Sequence, residues 1–136
     1  MPRLNGILET SLYTDDMDRA RAFYEGVLGL QPMFSDDRLT GYAIEKSVLL
    51  LFRKGTTEHP VKLKNGSIPG HGGTGELHVA FPIAKDELES WTERLGSHGV
   101  AIEGQNDWSR GGRSIYFRDP DGNLLELATP GLWSVY

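Results

Sequence analysis

Glu126 stands in a strand-like run, Leu124-Leu125-Glu126-Leu127-Ala128, that is otherwise apolar. Side chains alternate along a strand, so Leu124, Glu126 and Ala128 share one face, and Leu125 and Leu127 the other. A carboxylate buried there is costly unless a cation or hydrogen bonds compensate it. Arg113 and Arg118, just upstream, offer the plainest pairing. Glu9 and His78 raise the same question in two other strand-like stretches. Taken singly, Glu9 reads as a solvated residue near an open edge and His78 as a hydrogen-bonded core histidine. His71 lies in Pro69-Gly70-His71-Gly72-Gly73, whose glycines let a loop close over a site. It suits a general acid–base group or a substrate contact as well as it suits an ordinary exposed loop histidine. Trp108, Arg110 and Arg113 flank Gly111-Gly112. A ring and guanidinium groups there suit an anionic or aromatic substrate, although a stacked surface pair that orders the loop is the simpler reading. His59 and His98 read as surface residues.

Composition narrows what these groups can do. The chain has 136 residues, enough for a single domain with a real core. A net charge of −5 argues against non-specific nucleic-acid binding, which needs a basic face. There is no cysteine, so any metal must take oxygen and imidazole ligands. The longest apolar run, Val48 to Phe52, is too short to span a bilayer, and Met1 to Gly6 has no signal-peptide core. A cytoplasmic protein is the expectation.

These groups need elements to hold them. Ile7 to Thr14 reads as a strand, with Asp15 and Asp16 as helix caps. Met17 to Leu28 reads as a helix that buries Ala20, Phe23, Tyr24, Val27 and Leu28 and ends at Gly29. Leu30 to Ser35 is a strand marked as an edge by Pro32. Leu39 to Ile44 and Ser47 to Phe52 form a hairpin, the second strand apolar on both faces and therefore central. Gly55 to Gly75 shows no period, as befits a lid, binding loop or crossover. The pattern then repeats: a strand over Glu76 to Ile83, a helix over Lys85 to Ser97 burying Leu88, Trp91 and Leu95, and a strand beginning at Val100 to Glu103. Last comes a hairpin around Asp119-Pro120-Asp121-Gly122, where Pro120 and Gly122 suit a type I turn. The apolar tail, Gly131 to Tyr136, is expected to dock on the body or on a partner subunit.

The two halves align as a repeat of pattern more than of residues. Glu9 falls opposite His78, Gly29-Leu30 opposite Gly99-Val100, and Glu126 opposite the Leu49–Phe52 stretch, which offers no ligand.

Three pieces carry a family resemblance: Asp16 through Leu30, Leu77-His78-Val79-Ala80-Phe81, and Tyr116 through Leu127. The chain resembles the vicinal oxygen chelate superfamily, which includes glyoxalase I, bleomycin-resistance proteins, fosfomycin-resistance transferases and extradiol dioxygenases. The resemblance implies an α+β fold: two βαβββ modules forming a cup-shaped mixed sheet in one domain. Module 1 would run over about 5–55, a linker over 56–75, module 2 over about 76–129 and a tail over 130–136. It also implies a divalent metal held by Glu9, His78 and Glu126, with Glu9 or Glu126 doubling as a base. Ligands of this type accept manganese, iron, zinc or magnesium. The substrate would be a small molecule that chelates the metal through vicinal oxygens. Glu9 replaces the more usual histidine, and the apolar Leu49–Leu51 stretch argues against glyoxalase I activity itself. The expected function is therefore a metal-dependent enzyme of the glyoxalase or dioxygenase type, acting as a homodimer. The rival is a metal-free protein that sequesters a drug or antibiotic, as bleomycin-resistance members do.

Overall fold

Asp16 has an extended backbone and its side chain accepts the Arg19 N–H at 3.0 Å, so it caps the helix Met17–Arg21 (α1) as its residue type predicts. The computed structural model describes residues 1–136. Instead of stopping at Arg21, the helix widens into a π-helical turn over Ala22–Val27, in which the Leu28 N–H reaches the Phe23 carbonyl at 3.3 Å. The expected stripe of Ala20, Phe23, Tyr24, Val27 and Leu28 is buried, and Gly29 ends the run with φ of 72°.

The chain divides into two compact units, Met1–Thr74 and Gly75–Tyr136. The first holds β1 (Glu9–Thr14), α1, β2 (Pro32–Ser35), β3 (Leu39–Ile44) and β4 (Ser47–Arg53). The sheet order is β1-β4-β3-β2, with β1 parallel to β4 and the other pairs antiparallel. The apolar β4 is central, as its two-faced pattern predicts. Leu12, Leu49, Leu51 and Tyr42 are buried on the side that receives the helix. The stretch read as aperiodic contains a short hairpin, β5 (Val61–Leu63) with β6 (Gly66–Ile68), whose strands are too short and polar to show alternation.

The second unit repeats the plan. It holds β7 (His78–Pro82), a 3₁₀ turn (Lys85–Glu87) leading into α2 (Leu88–Ser97), β8 (Gly104–Asp107), β9 (Arg113–Arg118) and β10 (Leu124–Ala128). Its order is β7-β10-β9-β8, again with the first strand parallel to the last. Both units are thus βαβββ modules of an α+β fold. The strand expected from Val100 starts only at Gly104. The Val100 N–H is spent on the Leu95 carbonyl, closing the helix end, and pairing with β9 begins when the Glu103 N–H reaches the Tyr116 carbonyl at 2.8 Å. The expected turn is present: the Gly122 N–H donates to the Asp119 carbonyl at 3.0 Å, and Asp119 Oδ1 accepts from the Asp121 and Asn123 N–H groups. The tail docks on its own unit, with the Tyr136 hydroxyl donating to the Ala128 carbonyl at 2.7 Å. No helix is long and apolar enough to cross a membrane.

Buried phenols give the fold a pH dependence. Tyr42 is fully buried, and its hydroxyl donates to Glu25 Oε1 at 3.1 Å. Burial, then the Glu25 charge, raises its pKa well above the usual phenol range near 10. The folded state then holds a proton that the unfolded chain gives up. This stabilisation is fully present below about pH 10 and is lost as pH rises further. Chemical denaturation midpoints are expected to fall steeply above that pH, and Tyr42→Phe is expected to flatten the decline.

Candidate functional site

Register brings two of the anticipated residues onto one face. In the parallel pair β7 and β10, His78 lies opposite Leu124 and Glu126 opposite Ala80. His78 Nε2 and Glu126 Oε2 are 3.2 Å apart. His78 is half exposed, whereas Glu126 is buried at 5% exposure, which makes its partners decisive.

Those partners are not the anticipated arginines. Ser114 donates to Glu126 Oε1 at 2.5 Å, and the Trp108 indole N–H donates to Ser114 Oγ at 2.8 Å. Arg113 pairs with Asp107 at 2.9 Å, and Arg118 with Glu103 at 3.0 Å. Alternation explains the outcome at Arg113. Ser114 and Tyr116 lie opposite Ala128 and Glu126, so Arg113, Ile115 and Phe117 take the other face. There Arg113 lines a crevice of about 310 Å³ with Leu88 and Glu89 of α2. Arg110 is exposed in the loop that follows Trp108. Of the three residues anticipated for substrate, Trp108 is the one joined to Glu126 by hydrogen bonds, through Ser114. Ser114 and Tyr116 are the residues that sequence reasoning passed over. Both sit at even spacing from Arg118 across a readable hairpin, so the alternation rule contained the signal. Burial raises the Tyr116 pKa; a hydrogen bond with Ser114 acts the other way, and Glu126 adds to the rise.

His71 is held in the first unit. Its Nδ1 lies 2.7 Å from the Tyr13 hydroxyl, and its ring meets Phe52 edge-on at 4.9 Å. Thr57 fixes its backbone twice: the His71 N–H donates to the Thr57 carbonyl and the Thr57 hydroxyl to the His71 carbonyl. At Gly70 an added Cβ would lie 2.3 Å from the Glu58 carbonyl, so this loop path requires glycine. A cavity of about 290 Å³ adjoins the pair, lined in part by Tyr13, Lys54, Thr57 and Glu58. Tyr13 shares its strand face with Glu9, which is exposed on the edge strand β1 opposite Val48.

The chemistry of His78 and Glu126 can be worked out from donors and acceptors. His78 Nδ1 lies 2.9 Å from the Leu124 carbonyl, which can only accept, so Nδ1 carries a proton. A neutral imidazole then turns its Nε2 lone pair toward Glu126 Oε2, two acceptors face to face. Only a proton or a cation between them relieves that arrangement. Two ligand atoms bound side by side to one ion at about 2.1 Å lie roughly 3 Å apart, close to the separation seen. The pair therefore fits a divalent metal, with a carbonyl behind the imidazole and a hydroxyl behind the carboxylate, as outer partners of metal ligands usually are. Within the chain, no three His, Asp or Glu side chains cluster closely enough to hold an ion.

Comparison with known proteins agrees with this architecture. Residues 6–127 match the sequence model of the Glyoxalase/Bleomycin resistance protein/Dioxygenase superfamily, and the chain belongs to that superfamily. It is 28% identical over 128 residues to the metallothiol transferase FosB of Shouchella clausii, an alignment covering 93% of this chain and 81% of that one. It is 46% identical over 50 residues to the glutathione transferase FosA of Serratia marcescens, covering 37% of this chain and 34% of that one. Among solved structures, the lactoylglutathione lyase of Agrobacterium tumefaciens superposes with a TM-score of 0.88 at 33% identity, covering 98% of this chain and 99% of that chain.

Proposed function

We propose that this chain is a metal-dependent enzyme acting on a small substrate that presents two adjacent oxygens to the ion. The observation that carries the reading is the approach of two groups that can each ligate an ion, His78 Nε2 and Glu126 Oε2, to 3.2 Å on one face of the sheet. The relatives named as a metallothiol transferase and a lactoylglutathione lyase favour group transfer or lyase chemistry over oxygen activation. When bound, the ion would supply Lewis acidity, polarising a substrate oxygen. The chain's own groups divide the remaining work. His78 and Glu126 hold the ion, with Leu124 and Ser114 setting their orientations. Tyr116 offers a hydroxyl hydrogen-bonded to Glu126.

Glu9 is the third ligand. Glu9 is exposed on the edge strand β1, open to a second copy of the chain in a homodimer. His71, steadied by Tyr13 and Thr57, is the proton-exchanging group of the first module. Trp108 flanks the substrate.

Metal analysis and calorimetric titration of chelator-treated protein with Mn²⁺, Fe²⁺, Zn²⁺ and Mg²⁺ test the reading. A stoichiometric ion that is lost in His78→Ala is the expected result. Mixed dimers of Glu9→Ala and His78→Ala chains are expected to recover part of the binding. Protein that takes up none of these ions, yet binds a drug-like ligand tightly, would establish sequestration instead.

A further inference from the structure

Ser114 and the indole N–H of Trp108 stand behind the proposed ligand Glu126, and their donor chemistry specifies how they hold it. The Trp108 indole nitrogen can only donate, so Ser114 Oγ must accept from it at 2.8 Å. The single Ser114 proton is thereby left for Glu126 Oε1, 2.5 Å away, and Ser114 itself is 1% exposed, so water does not compete for it. The Tyr116 hydroxyl joins the same network through hydrogen bonds with Ser114 and Glu126, while the indole makes Ser114 an acceptor and the Ser114 proton meets Oε1. The arrangement is also braced from behind. The Trp108 backbone N–H donates to the Gly112 carbonyl at 2.8 Å, and the Gly112 N–H to the Gly131 carbonyl at 3.2 Å. Gly112 and Gly131 touch so closely that a Cβ on either would collide with the other's backbone.

Resting on the metal reading above, we infer that Ser114 and Trp108 are positioning residues that make Glu126 a one-oxygen ligand. Oε1 accepts the serine hydroxyl, which holds the carboxylate with Oε2 turned toward His78. Freed from Ser114, both carboxylate oxygens become available to an ion. Two-oxygen binding suits a large, high-coordination cation such as Ca²⁺ more than a smaller one. The relay thus sets both the affinity of the site and its preference among ions.

The test is calorimetric titration of chelator-treated full-length protein with Mn²⁺ and with Ca²⁺. Ser114→Ala is expected to weaken Mn²⁺ binding by about 10- to 100-fold, the usual effect of losing a partner behind a ligand, and to weaken Ca²⁺ less, so that the Mn²⁺/Ca²⁺ ratio falls. Ser114→Thr, which restores the hydroxyl, is expected to recover most of both. Trp108→Phe keeps the ring but not the N–H. It is expected to shift the ratio in the same direction by a smaller factor, and it serves as the test if Ser114→Ala fails to fold. Unchanged Mn²⁺ affinity and an unchanged ratio in a folded Ser114→Ala or Trp108→Phe protein would overturn the inference while leaving the metal site standing. An unsubstituted protein that binds neither ion would overturn both.

Discussion

Glu126→Ala is expected to bind divalent ions at least about a hundredfold more weakly than the unsubstituted protein. Outer partners of metal ligands are worth 10- to 100-fold in affinity, and a ligand itself is not worth less. The loss can be read without any assay of turnover. An ion that binds only the folded state at a hundred times its Kd adds about 2.7 kcal/mol of stability, so thermal unfolding of the unsubstituted protein should shift upward on adding Mn²⁺. The variant should show no shift. Its stability without metal should change modestly, because the deletion strands the Ser114 hydroxyl while relieving the facing of His78 Nε2 and a carboxylate. A variant that still gains stability from Mn²⁺ would show that the ion sits elsewhere.

Phe117→Ala tests the platform under that site and is expected to destabilise the protein by about 3–5 kcal/mol. Phe117 is fully buried, lies opposite Leu125 in the β9–β10 pair, and shares its face with Ile115 and Leu127, which are 2% exposed. Truncation removes a large apolar group and leaves a cavity that strands tied on both edges cannot close. A Tm lower by on the order of 10 °C or more is the expected reading. Because β9 and β10 carry Ser114 and Glu126 on their opposite face, Mn²⁺ affinity in the folded variant should also drop. A change under about 1 kcal/mol would mean the site collapses around the gap.

Much of this architecture could be read from the chain itself, because its signals are local. The stripe from Ala20 to Leu28, the two-faced apolar β4 and the Asp119–Gly122 turn each follow from residues near one another, and each was found where expected. Boundaries slipped where a backbone group had a nearer partner, as at Val100, or where a helix changed its winding, as after Arg21. The site was only half readable. Periodicity put Glu126 on a face and left open who would meet it. Charge suggested arginine, but Arg113 falls on the wrong side of the alternation and Arg118 is drawn to Glu103 and Glu76. The group that does meet Glu126 is neutral and small, and a serine in a strand announces nothing in a sequence. His71 stands out in the sequence for its flanking glycines, whereas Tyr13, which holds it, reads as an ordinary strand residue.

Val48 stands to Glu9 as Leu124 stands to His78, so counting two residues onward makes Leu50 the counterpart of Glu126. The position that is acidic in the second half is a hydrocarbon in the first. The repeat is one of backbone and not of side-chain chemistry, so a facing imidazole and carboxylate like His78 and Glu126 is offered by the second half alone.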